Sequence, residues 1–173
     1  MAARAAPEEE EHQEILLDEV LSSRHTGSEN NKSMSIRPFH LAFPIHDVEV
    51  AREFYVGLLG CGVGRESEKW IDFDLGGHQV VGHVVPVDDS ESHTNDVDGD
   101  KVPASHFGVI LEWSEWEALR DKLVAAEIKF RVEPHIRFKD KPGEQGTMFF
   151  DDPFGNSLEF KTFRDDAFIF ATR

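Results

Sequence analysis

The chain has 173 residues, 39% hydrophobic and 10% aromatic, enough to bury one sizeable core and so one globular domain. A formal charge of -16 repels phosphate backbones and anionic membrane surfaces, so nucleic acid and membrane are excluded as expected partners; no apolar run approaches the roughly 20 residues that span a bilayer. The single cysteine, Cys61, excludes an internal disulfide and a multi-thiolate metal site, fits a cytoplasmic location, and leaves open a homodimer paired through it.

Residues 1–36 hold eight acidic and three basic side chains, net -5, which leaves -11 on the rest. Within them "PEEEEHQE" and "ILLDEVL" predict a short helix with Ile15, Leu16, Val20 and Leu21 along one side, and "SSRHTGSENNKS" reads as linker. This acidic segment is expected to be disordered or partly helical, with the folded domain over 37–173. Unlike a signal or transit peptide, its N-terminus is acidic.

The body opens with "PFHLAFPIHDVEVAREFYVGLLG", an alternating strand that carries His40 and runs into an amphipathic helix, with Asp47 placed as its N-cap. Strands "KWIDFDL" and "HQVVGHVVPV" follow, joined through Gly76-Gly77. The polar, turn-rich "DSESHTNDVDGDK" is expected to be a loop. A second strand-helix unit, "ASHFGVILEWSEWEALRDKLVAAE", then carries His106 and predicts a capping box from Ser114 and Glu117. It is followed by strands "KFRVEPHIRF", "GTMFF" and "NSLEFKTF", with Asp152-Pro153 and Gly155 in the last turn. Both halves read as strand, helix, then strands: a weak internal repeat, with module one at about 37–88 and module two at about 103–163.

Successive strand residues point to opposite faces. In the second opening strand Phe107, Val109 and Leu111 share the face toward the helices, and His106, Gly108 and Ile110 the other. The same alternation turns His40 and Ala42, and Ser157, Glu159 and Lys161, away from the helix-packed side. His40, His106 and Glu159 thus lie on faces where Ala42 and Gly108 leave room for a cleft.

"FHLAFPIHDVEVAREFYVGLLG", "SHFGVILEW" and the closing "FFDDPFGNSLEF" together resemble the vicinal oxygen chelate superfamily of glyoxalases, extradiol dioxygenases and bleomycin-resistance proteins, over about residues 37–163. The resemblance implies an α+β fold of two βαβββ modules forming a curved mixed sheet around a metal-binding cleft. By matching position it makes His40, His106 and Glu159 the metal ligands. At the position of the fourth ligand of glyoxalase I, aligning Gly77 with Gly155 puts Val81, which cannot bind metal; Gln79 and His83 flank it on the same face and are candidates for substrate or metal contact.

Two neutral imidazoles and one carboxylate leave an Fe(II) site with adjacent open positions, where a bidentate oxygen substrate and O₂ can meet. A fourth ligand suits Zn²⁺ or Ni²⁺ acting as a Lewis acid. The expected cofactor is a divalent metal, Fe²⁺ ahead of Zn²⁺, Ni²⁺ or Mn²⁺, and the expected function an iron dioxygenase-like oxidoreductase acting on a small vicinal-oxygen substrate. Its alternatives are a glyoxalase I-like lyase or isomerase and a small-molecule-binding protein of the resistance type. The resemblance also points to His93 as a catalytic acid/base, and to Phe149 or Phe150 where a tyrosine would stand; His135 is a second candidate proton carrier, and Arg137 or Lys139 a site for an anionic substrate group.

Overall fold

The computed structural model describes residues 37–87, 94–97 and 99–172. The expected acidic tail at 1–36 and His93 therefore lie outside the described residues.

The first module begins with β1 (His40–Ile45), followed by helix α1 (Val48–Arg52). Asp47 caps this helix: its Oδ1 accepts from the N–H groups of Glu49 and Val50 at 2.8 and 3.0 Å. The helix widens into a π-helical turn (Glu53–Leu58) that buries Phe54 and Tyr55. Strands β2 (Gly62–Ser67), β3 (Trp70–Leu75) and β4 (His78–Val84) complete a mixed sheet of order β1-β4-β3-β2, in which β1 and β4 are parallel. The sequence reading contained no β2. All six of its residues are exposed, so it carries no alternating apolar signal.

A second departure lies in the segment expected to be a loop, where β5 (Thr94–Val97) and β6 (Asp100–Pro103) pair as an antiparallel hairpin. The chain then runs through 106–111, which bridges β9 in parallel at Phe107–Leu158 and Ile110–Lys161, and enters helix α2 (Trp113–Ala125). The Ser114 capping box does not form. The Leu111 N–H still bonds Lys161 in β9 at 2.8 Å, and the chain turns into the helix at once, so Glu112 takes the N-cap position without a side-chain bond. Strands β7 (Phe130–Arg137), β8 (Gln145–Asp151) and β9 (Ser157–Phe163) follow in order β7-β8-β9. Segment 106–111 stands to β9 as β1 stands to β4, so both halves are βαβββ modules and the fold is α+β.

One core joins the modules. Phe43, Ile45, Ile71, Phe73 and Val80 from the first sheet, Met148, Phe150, Leu158 and Phe160 from the second, and Tyr55, Trp116 and Leu123 from the helices form a single buried cluster. Full burial of side chains of this kind contributes about 1.5–3 kcal/mol each. The Tyr55 ring stacks on Phe73 with centroids 4.8 Å apart, and Trp116 Nε1 donates to the Phe160 carbonyl at 2.9 Å. Leu41, Phe107, Val109 and Leu111 pack against the same cluster. The opposite faces of both sheets, which carry the histidines, are turned away from it. No helix among the described residues is long and apolar enough to cross a membrane.

Candidate functional site

On the second sheet, alternation and register bring His106 and Glu159 together. His106 Nε2 lies 3.2 Å from Glu159 Oε2, with the two side chains 29% and 13% exposed. The Pro103 carbonyl lies 2.7 Å from His106 Nδ1. A carbonyl only accepts, so Nδ1 carries a hydrogen; in the neutral ring this leaves the Nε2 lone pair facing the carboxylate, and in the imidazolium Nε2–H donates to it. Thr147 Oγ1 donates to Glu159 Oε1 at 2.8 Å, and Lys161 Nζ stands 3.5 Å from the same oxygen. Phe149, opposite Glu159 in the β8–β9 register, sets its ring edge-on to His106 at 5.2 Å. It is one of the two phenylalanines, with Phe150, that stand where the resemblance implies a tyrosine, and it brings no hydroxyl.

The space beside this pair depends on Gly108. A Cβ added there would lie 1.7 Å from the Glu159 carbonyl oxygen. The sequence reading took this glycine as room for a ligand, but what it makes room for is the β9 backbone.

On the first sheet His40 is paired in register with Gln79, and its Nδ1 lies 2.8 Å from Gln79 Oε1. Gln79 Nε2 donates in turn to Asp72 Oδ2 at 3.2 Å, and Arg65 Nε approaches that oxygen at 3.4 Å. Arg65 also lies over the Trp70 ring, 5.6 Å from its centroid. His40, Arg65, Trp70, Asp72, Gln79, Val81 and His83 line one cavity of about 200 Å³.

Register also identifies the counterpart of Glu159 in the first module. Ala42 pairs with Val81 in β1–β4, and the constant offset between 106–111 and β9 pairs Gly108 with Glu159. Val81 therefore stands where Glu159 stands in the second module, in agreement with the glycine-to-glycine alignment.

His135 and Arg137 are drawn into a different cluster. Arg137 Nη2 donates to Asp100 Oδ2 at 2.7 Å, His135 Nε2 lies 3.5 Å from the same oxygen, and Arg137 Nε donates to His135 Nε2 at 3.3 Å. Together they tie β6 to β7. Asp72, which the sequence reading did not single out, is buried on the histidine-bearing face. Its signal was the alternation of "IDFDL", which puts Asp72 and Asp74 on the polar side.

The donor set fits a divalent ion in two halves. Two groups of this kind 3.2 Å apart are bridged either by a proton on Nε2 or by a cation, and metal bonds of about 2.1 Å at right-angled to tetrahedral geometry separate two ligands by about 3.0–3.4 Å. His106 and Glu159 meet that spacing. His40 lies with Gln79 on the other sheet, and among the described residues no three His, Cys, Asp or Glu side chains converge as a metal site.

Two βαβββ modules, each with an outward histidine on its opening strand, define a paired-module α+β protein. The chain belongs to the Glyoxalase/Bleomycin resistance protein/Dioxygenase superfamily, whose family model matches residues 37–160. A glyoxalase/bleomycin resistance protein/dioxygenase from Alicyclobacillus acidocaldarius is 31% identical, with a TM-score of 0.63 over 77% of this chain and 96% of that one. Likeness in fold extends to a glyoxalase/dioxygenase from Nostoc punctiforme (14% identity, TM-score 0.58, 80% and 98% covered). It extends also to a lactoylglutathione lyase from Agrobacterium tumefaciens (19% identity, TM-score 0.51, 76% and 96% covered). No curated protein matches the sequence.

Proposed function

We propose that the protein is a divalent-metal-dependent, dioxygenase-like oxidoreductase acting on a small substrate through two vicinal oxygens. Its ligands are His106 and Glu159 of one copy and His40 of a second copy, in a cytoplasmic homodimer. The observation that carries this reading is the His106–Glu159 pair, whose 3.2 Å separation matches two ligands of one divalent ion. What supports the second copy is that the two half-sites lie on separate sheets, on faces turned away from a common core, and that among the described residues no three ligands converge.

Fe(II) bound there would supply electron transfer between substrate and O₂ at adjacent open positions. The chain's own residues orient and hold. The Pro103 carbonyl keeps the His106 hydrogen on Nδ1, Thr147 fixes one carboxylate oxygen and leaves the other to bind, and Lys161 offsets charge beside it. Phe149 covers one side of His106. Val81 at the counterpart position leaves the ligand set at three, which supports the oxygenase reading over one with four ligands. His83 lines the same cavity as His40 and Gln79, which supports its reading as a substrate contact.

A second reading, a glyoxalase I-like lyase or isomerase using Zn²⁺ or Ni²⁺, draws on the Gln79 amide oxygen beside the His40 ring as a fourth donor. Anaerobically iron-loaded protein tested with catechol-like compounds in an oxygen electrode separates the two. Oxygen uptake with iron and none with zinc supports the first; turnover of the methylglyoxal–glutathione adduct with zinc or nickel, without oxygen uptake, overturns it.

A further inference from the structure

Asp72 is a carboxylate buried on the wrong face for the core. The apolar side of β3 is formed by Ile71, Phe73 and Leu75, while the Asp72 side chain, 6% exposed, points to the histidine-bearing side. Burying a carboxylate is unfavourable unless its oxygens are bonded. Its partners here are Gln79 and an arginine that is itself 81% exposed, an ion pair too wet to explain the burial. The strand beside it gives way as well: a Cβ on Gly64 would come within 3.0 Å of Asp72 Cβ.

We propose that Asp72 and Gln79 are positioning residues that set the tautomer of His40. The inference rests on the reading of His40 as a ligand. A carboxylate accepts and does not donate, so the Gln79 amide must turn its NH₂ toward Asp72. That leaves Gln79 Oε1 facing His40, 2.8 Å from Nδ1. The ring hydrogen is thereby held on Nδ1, and Nε2 is presented as a lone pair. Without this restraint, neutral imidazole in water favours the hydrogen on Nε2, which blocks the nitrogen that would bind. His106 reaches the same state by another route, the Pro103 carbonyl. Both histidines are thus prepared alike, one by a backbone oxygen and one by a side-chain relay of carboxylate, amide and imidazole.

The test reads the imidazole nitrogens directly. Full-length, metal-free protein labelled with nitrogen-15 in histidine is examined by long-range proton–nitrogen NMR at a pH where the ring is neutral, with His40 assigned by the signals lost in His40→Asn. The wild type is expected to show a protonated Nδ1 and a bare Nε2 at His40. Asp72→Ala and Gln79→Leu should each move the hydrogen to Nε2. Combining Asp72→Asn with Gln79→Glu exchanges amide and carboxylate: the bond between them reverses, the introduced asparagine's NH₂ now donating, while an acceptor oxygen still faces His40 Nδ1, so the wild-type pattern should be restored. An unchanged His40 tautomer in both single variants, or a wild type already protonated on Nε2, overturns the proposal. Unchanged His106 signals serve as the check that each variant is folded. Metal titration of the same samples should show affinity falling about 10–100-fold in the single variants. If the tautomer moves as expected but no sample binds metal, the relay stands and the metal-dependent function falls; a wild type that binds metal with an indifferent tautomer has the opposite meaning.

Discussion

The Tyr55 hydroxyl, on the first module's helix, donates to Asp152 Oδ2 at 2.9 Å in the turn before the second module's last strand, 97 residues away. Asp152 Oδ1 accepts from the N–H groups of Phe154 and Asn156, and Oδ2 also takes the Asn156 amide, so one carboxylate organises the turn that leads to Glu159. Burial nonetheless outweighs these donors and raises the Asp152 pKa above the usual carboxylate value. Tyr55→Phe should lower stability by about 1–2 kcal/mol, read as a shift in the urea midpoint at constant slope. Asp152→Ala should cost more and loosen Glu159, because the turn loses its organising group. Equal and negligible effects of the two substitutions would show that the modules are held together elsewhere.

Alkaline pH should destabilise the fold. Burial pushes the Cys61 thiol from its ordinary 9.0 up to about 11, and burial beside Asp152 pushes Tyr55 well above its ordinary value. A raised pKa stabilises the fold fully below the unfolded value, and that contribution is lost as pH rises through the folded value. Between the ordinary and raised Cys61 values the loss is about 1.4 kcal/mol per pH unit, about 2–3 kcal/mol in all. Denaturation at stepped pH should show this slope, and Cys61→Ala should flatten it whatever it does to stability at neutral pH. An identical slope in the variant would contradict the assignment.

Gly108→Ala should be among the more damaging single-methyl additions. The added carbon meets backbone, the Glu159 carbonyl, rather than a side chain that can rotate away. Forced displacement of this kind costs about 1–3 kcal/mol. It also parts His106 from Glu159. Thermal melting together with metal titration checks it: both should worsen, and a variant of full stability and affinity would contradict the close approach.

Val81→Glu would place a carboxylate at the counterpart of Glu159. Metal-free protein should be destabilised by about 1–3 kcal/mol, since Val81 is buried opposite Asp72 in the strand register. Zinc should restore more stability to the variant than to the wild type, by calorimetry with and without the ion. Equal zinc effects on both proteins would show that position 81 does not face the metal.

Much of this was legible from alternation alone. His40, His106 and Glu159 fall on the faces that period-two counting assigns them, and Val81 was already opposite Glu159 once two glycines were aligned. Alternation fails where a strand has no buried side. That is why β2 escaped notice; the hairpin of β5 and β6 was hidden in a polar, turn-rich stretch where, among the described residues, only Val102 and Pro103 at the end of β6 are buried. The α2 cap was misplaced because Leu111 still belongs to the sheet ladder, a tertiary constraint that local capping patterns do not contain. Asp72 was missed because its importance lies in what it bonds across two strands. His135 and Arg137 carried a plausible chemistry in sequence, but Asp100 takes both into a tie between hairpin and sheet.

The central claim is that one metal centre needs His40 from one copy and His106 with Glu159 from another. The most direct test mixes two defective chains. His40→Ala and Glu159→Ala proteins should each be nearly metal-free. Isolated as a heterodimer through two different tags, they rebuild one intact centre of the two, because His40 of the Glu159→Ala chain meets His106 and Glu159 of the His40→Ala chain. Elemental analysis of that heterodimer should give about half the wild-type occupancy. A heterodimer as empty as its parents, or a parent that keeps full occupancy alone, would contradict the account.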